Sequence, residues 1–470
     1  MISARSDNNL RYHVYHMINL FYPQIRYLEE EEEGDVDIEV QVKEGKLCIR
    51  FFGAEHISDY KPRDLQDLRR RLYRLLEEKT GKALPWGTLI GVRPSKIVRE
   101  LLESGKGLEE IQAILQAEHF TRPEKVALAH EVALKETKLL EKVQVENSCD
   151  IYIGMPFCPS RCLYCSFTSN VYTGNRFKDR YLSLMLREME AIRRFLDEQG
   201  MSVNNVYFGG GTPTAVSDDE FETVMAAIHE NFLQGRQVLE FTVEAGRVDS
   251  ISREKLKSMK AHGTTRISIN PQTMQNDTLR LIGRNHDAQK VREIFRLARE
   301  EGFDNINMDL ILGLPGETPE DLEETLKAVQ ELSPESLTVH GLALKRASRL
   351  YEDFILEKRY PLPSQEEMNR MYRRADETAR AMGLLPYYMY RQKHMVGNHE
   401  NVGYAKPGFE NLYNVTMIEE VKTIIAIGAD GITKKVKDGV ITRQANFKGL
   451  PDYTERFEEM MRKKLEFLHA

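Results

Sequence analysis

Between residues 149 and 345 the chain repeats one pattern: a short apolar run, a turn, then an amphipathic stretch of helical period. The apolar runs are Asp150 to Pro156, Val203 to Phe208, Val238 to Val243, Thr265 to Ile269, Ile306 to Leu312 and Leu337 to His340. Between them the spacing predicts helices over Arg176 to Glu198, Asp218 to Phe232, Ser252 to His262, Asp287 to Glu301 and Pro319 to Leu332. Strands and helices in this alternation build a parallel sheet with covering helices, the α/β class. Such sheets bind ligands at the C-terminal ends of their strands. Residues just after each apolar run are therefore the first place to look for chemistry.

The flanks are less regular. Residues 1–148 read as an N-terminal α/β extension. An acidic run, Glu29 to Glu33, reads as a solvated loop or helix end. Val36, Ile38, Val40 and Val42 alternate with polar residues, and Leu47 to Phe52 returns as the second strand of a hairpin. Leu65, Leu68, Leu72, Leu75 and Leu76 mark one face of a helix ending at Gly81. A loop from Pro85 to Pro94 carries the only tryptophan, Trp86, and three more helices follow up to about Val143. Residues 346–470 read as a C-terminal mixed α/β region, with a charged helix from Gln365 to Met382 and a terminal helix from about Tyr453.

With 470 residues, 41% hydrophobic and 30% charged, the chain can bury ordinary cores without a disulfide scaffold. A net charge of −7 argues against a general polyanion-binding surface. No basic patch with interleaved aromatics points to nucleic acid. No apolar run has the length of a membrane span, and the N-terminus shows no secretory h-region, so the cytoplasm is the expected location.

Five cysteines are present, and Cys158, Cys162 and Cys165 lie within eight residues, directly after the first apolar run. Their spacing is C-x3-C-x2-C. Thiolates are soft ligands suited to iron–sulfur clusters, and three of them leave one iron of a 4Fe–4S cluster open. A structural zinc site normally needs a fourth Cys or His nearby; none is evident. Gly209-Gly210-Gly211-Thr212-Pro213-Thr214 follows the second run, and glycines let a backbone approach a ligand closely. Glu244, Gln272 and Asp309 lie at or near later strand ends, with Arg284 on the helical segment after Gln272. Singly each has a bland reading; in order along one sheet edge they suggest a site.

The thiol loop after a first strand resembles the defining loop of the radical S-adenosylmethionine (SAM) superfamily. GGGTPT, with Gly313-Leu314-Pro315-Gly316, resembles more narrowly the oxygen-independent coproporphyrinogen III dehydrogenase family, in a long subgroup with an N-terminal extension. That resemblance implies a partial (β/α)6, TIM-like barrel over 149–345, with a 4Fe–4S cluster and SAM as cofactors. It implies cluster ligation by Cys158, Cys162 and Cys165. SAM contacts would come from Tyr152, Tyr164, Gly210, Gly211, Thr212, Glu244, Gln272, Arg284 and Asp309. Glu244 would take the ammonium, Gln272 and Asp309 the ribose hydroxyls and Arg284 the carboxylate, a pairing suited to a guanidinium. Tyr152, Glu244 and Arg284 would stand nearest the reacting centre, and Tyr164 beside the adenine.

The implied reaction is oxidative decarboxylation of coproporphyrinogen III propionates to vinyl groups, through a 5′-deoxyadenosyl radical, with a reducing donor such as flavodoxin or ferredoxin. Gly403 to Gly408 and Ile427 to Gly431 resemble family segments that close over the substrate. Two positions depart from the proven dehydrogenases. Gly154 stands where they carry a His, and Phe167 where they carry a fourth Cys, as in related haem chaperones. The alternatives are therefore a haem-binding chaperone, with His340, His394 and His399 as candidate axial ligands, and a radical SAM methyltransferase acting on haem.

Overall fold

The computed structural model describes residues 2–470 apart from 30, 31, 33, 62, 92, 145, 168, 346, 347 and 356–360. Most of the acidic run (Glu30, Glu31 and Glu33) lies outside the described residues. Strands are numbered along the chain. A first sheet of five has the order β2-β1-β3-β4-β5, from Ile2–Ser6 (β1), Ile25–Tyr27 (β2), Ile38–Lys43 (β3), Lys46–Phe51 (β4) and Ala54–Asp59 (β5). The expected hairpin is β3–β4, and helix Leu65–Thr80 ends on Gly81 in the left-handed conformation. Helices Arg11–Phe21 and Leu65–Thr80 cover this sheet through Val14, Met17, Ile18, Leu68, Leu72 and Leu76, a core of its own.

The second sheet carries the six expected strands in parallel: Ser148–Met155 (β6), Ser202–Gly210 (β9), Glu240–Val243 (β10), Arg266–Ser268 (β11), Ile306–Leu312 (β12) and Ser336–Gly341 (β13). The two-residue strands Phe157–Cys158 (β7) and Asn170–Val171 (β8) pair with each other and bracket the thiol loop. Both flanks of the parallel core come from beyond residue 345. Leu385–Tyr390 (β14) and Asn401–Ala405 (β15) add antiparallel strands beside β13. On the other side Thr423–Ile427 (β16) runs parallel to β6 as a seventh parallel strand, followed by Ile432–Lys437 (β17) and Val440–Ala445 (β18). The order β14-β15-β13-β12-β11-β10-β9-β6-β16-β17-β18 leaves the barrel open. Of the segments read as closing over the substrate, residues 403–405 belong to β15 and residue 427 to β16.

Strand periodicity builds the interior. Alternate residues turn to opposite faces. Ile151, Ile153, Val206, Phe208, Phe241, Val243, Ile267, Met308, Leu310, Leu337 and Val339 enter the large apolar core, as do the helices after Trp86. Their neighbours are polar and bond one another inside: Asn205 to Asp150 at 2.9 Å, Asn307 to Asp309 at 2.6 Å and Thr338 to Asn307 at 3.1 Å. Helix Leu412–Glu419 and its cap floor this space: Asn411 bonds Thr242 at 3.0 Å and Thr416 bonds Asp150 at 2.6 Å. Among the described residues no helix is long and apolar enough to cross a membrane.

Candidate active site

The thiol loop leaves the C-terminal end of β6. Cys158 and Cys162 are buried, Cys165 is half-buried, and all three are free of disulfides. The loop is tied at several points: the Leu163 amide donates to Ile282 O at 3.0 Å, Cys165 to Cys162 O at 3.2 Å and Tyr172 to Cys158 O at 3.0 Å. Two sulfurs accept hydrogen bonds, Cys158 from the Thr212 hydroxyl and Cys162 from an Arg247 N–H, each at 3.3 Å. Burial, outweighing the Thr212 hydroxyl, pushes the Cys158 thiol up to about 11. A metal would reverse that by binding the thiolate. Among the described residues no three His, Cys, Asp or Glu groups converge on a single-ion site.

The glycine run at the end of β9 lies against this loop. The Gly211 amide donates to Met155 O at 2.6 Å, and a side chain at 211 would meet Phe157 O at 2.7 Å and Cys158 Sγ at 3.0 Å. Gly210 has φ +104°, and a side chain there would meet Met155 N and O within 3.0 Å. Only glycine permits both the conformation and the approach.

Glu244 follows β10. Its carboxylate accepts from the Tyr207 hydroxyl and the Gly210 amide. Burial raises it to about 7; Asp309 adds to the rise, while Tyr207 opposes it. Tyr207, Tyr152 and Tyr413 stack as a group of three, with ring centroids 6.2 Å (Tyr152–Tyr207), 4.6 Å (Tyr207–Tyr413) and 6.4 Å (Tyr152–Tyr413) apart. The Tyr152 hydroxyl is pushed up by burial and then by Glu244. Gln272 takes φ +69° and extends β11 beside β12, its amide donating to Asp309 O at 3.0 Å. Burial works to raise the Asp309 carboxyl, but His340 at 3.7 Å, Asn307 and Thr338 outweigh it and hold it below its ordinary value. Arg284 donates to the Tyr164 hydroxyl at 2.9 Å and to the Gly246 and Asn270 carbonyls at 3.2 and 3.3 Å.

Tyr152 and Asp309 thus lie inside β6 and β12, Gly210 ends β9, and the other predicted site residues lie in the segments that follow the C-terminal ends of the strands. The residues fit a polar ligand beside a cluster. Gln272 Oε1, Asn270 Oδ1 and Arg284 Nε are buried with no protein partner, a costly state that a ligand relieves. Sequence reading missed Arg247 and Tyr207. Arg247 lies three residues past Glu244, in the strand-end position that flagged the others, and Tyr207 shares a face of β9 with Gly209. Of the histidines, His399 is buried, stacks on Tyr372 at 3.9 Å and bonds Asn369 at 3.0 Å; His394 bonds Asn19 of the N-terminal unit at 2.5 Å. His340 alone of the three stands beside a site residue, Asp309.

Comparison with known proteins agrees with this geometry. Residues 152–329 match the model of the radical SAM superfamily. A solved structure described as coproporphyrinogen III oxidase (HemN) from Escherichia coli, a radical SAM enzyme, superposes with a TM-score of 0.53. It is 23% identical and covers 69% of this chain and 73% of its own, so it shares the fold. Fold and thiol loop together define a radical SAM protein, with a 4Fe–4S cluster and SAM as its cofactors. The oxygen-independent coproporphyrinogen-III oxidase-like protein HemZ of Bacillus subtilis is 39% identical over 84% of this chain and 79% of its own length. The heme chaperone HemW of the same organism is 33% identical over 56% of this chain and 65% of its own. The chain belongs to the HemZ-like, coproporphyrinogen oxidase-related family of radical SAM proteins.

Proposed function

We propose that the protein is a radical SAM enzyme of tetrapyrrole metabolism that oxidatively decarboxylates coproporphyrinogen III propionates to vinyl groups, giving protoporphyrinogen IX. The observation that carries this reading is the row of buried, partnerless polar atoms on Gln272, Asn270 and Arg284 at the strand ends beside three free thiols. Cluster and SAM, when bound, supply one-electron cleavage of a sulfonium and hydrogen abstraction from carbon. Cys158, Cys162 and Cys165 hold the cluster; Tyr164, Gly210, Gly211 and Thr212 line the SAM site. Glu244 accepts the SAM ammonium, Gln272 and Asp309 the ribose hydroxyls, and Arg284 pairs with the carboxylate. Tyr152, locked in its stack, orients the reacting end. Helix Leu412–Glu419, which floors the sheet's polar interior, keeps water from beneath the site. A low-potential flavodoxin or ferredoxin supplies electrons, and the reaction belongs in the cytoplasm.

The test is an anaerobic assay with reduced cluster, SAM and coproporphyrinogen III. Vinyl product with loss of carbon dioxide is expected. SAM cleavage without vinyl product would overturn the decarboxylation and leave the radical SAM class standing. A gain of carbon in the product would point to methyl transfer on haem. Haem binding is the second reading, favoured by His340 and by Phe167, which is 67% exposed at the loop mouth where the dehydrogenases carry Cys. A haem titration of wild type and His340→Ala distinguishes it: an unchanged Soret band sinks the chaperone.

A further inference from the structure

Three features outside the assigned contacts stand out: the buried acid pair Glu136–Glu419, the histidines His16 and His394 between the N-terminal unit and the barrel, and Arg247 at the thiol loop. Arg99 meets Glu419 of the acid pair at 2.5 Å, and the two histidines bond Lys393 and Asn19; neither group adjoins the thiol loop. Arg247 touches the sulfur of a candidate cluster ligand.

We propose that Arg247 is a positioning residue for the iron–sulfur centre, fixing Cys162 Sγ and setting how readily the centre is reduced. This rests on the reading of Cys162 as a cluster ligand. Arg247 is 4% exposed and every arm of its guanidinium is committed. Nη1 donates to Cys162 Sγ at 3.3 Å and Ser160 O at 3.2 Å; Nη2 donates to Ser160 Oγ at 2.9 Å. Nε and Nη2 form a fork on Asp249, at 2.9 and 2.7 Å. The backbone beneath is also fixed. Ser250 Oγ bonds Arg247 O at 2.8 Å and Thr214 Oγ1 at 2.6 Å, which ties the arginine's turn to the glycine run.

The three thiols are not treated alike. Cys158 receives a neutral hydroxyl at 3.3 Å, Cys165 has Ser169 Oγ only at 4.0 Å, and Cys162 receives a cation. Hydrogen bonds to ligand sulfurs and nearby net charge are the protein's main levers on cluster potential. A fixed cation beside one sulfur favours the reduced, more negative state, and burial makes its field count for more than in water. Arginine keeps its charge at any working pH, and only its fork can hold Asp249 and Cys162 together.

The experiment reconstitutes the full chain anaerobically with iron and sulfide, without SAM or substrate. It measures iron per chain and the reduced fraction at fixed solution potentials, and it melts the cofactor-free protein. Arg247→Gln should load iron but show about a tenfold lower reduced-to-oxidised ratio, about 59 mV for a one-electron couple. Arg247→Lys should recover part of the ratio, and Ser160→Ala, which removes a hydrogen bond to the same guanidinium without changing charge, should shift it in the same sense by less. Arg280→Gln, an exposed charge paired with Asp277, is the control and should not move it. Iron lost from Arg247→Gln with cofactor-free melting unchanged also supports the positioning role.

A loaded Arg247→Gln within twofold of wild type overturns the proposal, as does an equal shift in Arg280→Gln. If Arg247→Gln does not fold, Arg247→Lys and Ser160→Ala decide, and two unmoved ratios overturn it. Wild type that forms no cluster overturns the ligand reading itself, and this proposal with it.

Discussion

Glu244 lies in a contest between burial and hydrogen bonding that pH can read. Its carboxyl is raised from an ordinary 4.5 to about 7, so the fold holds a proton that the unfolded chain releases. The stability this group contributes is complete below about pH 4.5 and is lost as pH rises through about 7. The shift corresponds to about 3 kcal/mol. Cofactor-free wild type should therefore lose melting temperature more steeply than Glu244→Gln between pH 5 and 8, in parallel thermal scans. Under the proposed role SAM should also bind more tightly as pH rises through 7, which calorimetric titration measures, and Glu244→Gln should abolish that dependence. Gly211 makes a steric prediction. A methyl group would press on the Phe157 carbonyl at 2.7 Å, which cannot yield cheaply. Gly211→Ala should cost about 1–3 kcal/mol and lower the iron held per chain after reconstitution.

At the scale of elements, the thiol loop is braced from outside by a small apolar cluster. Leu163, Ile282, Leu314, Leu342, Leu344 and Leu350 pack together, and the Leu350 amide donates to Leu163 O at 3.0 Å. Leu350→Ala should cost about 2–3 kcal/mol, felt locally; amide exchange at Leu163 and Cys165 should rise well before that of β6 or β9. The parallel strands were legible because each is a compact apolar run with a turn on either side. Other elements were not. Central strand β1 has only Ile2 and Ala4 as apolar residues among its five, so its place between β2 and β3 is set by pairing. Nothing local reveals that Ile424 to Ile427 of β16 pair beside β6. Arg247 stayed hidden for a similar reason: a strand-end arginine acquires meaning only when folding brings Ser160 and Cys162 against it.

The whole molecule has two main cores, and the boundary between them falls inside the region read as one extension. Residues up to Leu84 pack with the five-stranded sheet, whereas Trp86 and the helices that follow join the barrel core. Trp86 is the joint. Its indole N–H donates to Glu400 at 2.7 Å, Lys125 pairs with the same carboxylate at 2.7 Å, and Arg391 lies over the ring at 5.5 Å. Calorimetry should resolve two transitions. Trp86→Ala should lower the barrel transition by about 3–5 kcal/mol and move the other little.

The sequence by itself determined the α/β class, the succession of parallel strands, the thiol loop and the run of residues behind it. These are local matters: strand periodicity, turn chemistry and the spacing of ligands along a few residues. Tertiary structure alone decided that the C-terminal third widens the sheet on both flanks, that Asn411 to Thr416 floor the interior, and that Arg247 meets Cys162. Those contacts join residues tens to hundreds of positions apart, and only the packed chain selects which partners meet. The thiol loop marked where the chemistry lies; the fold around it supplied the charge that faces the sulfur.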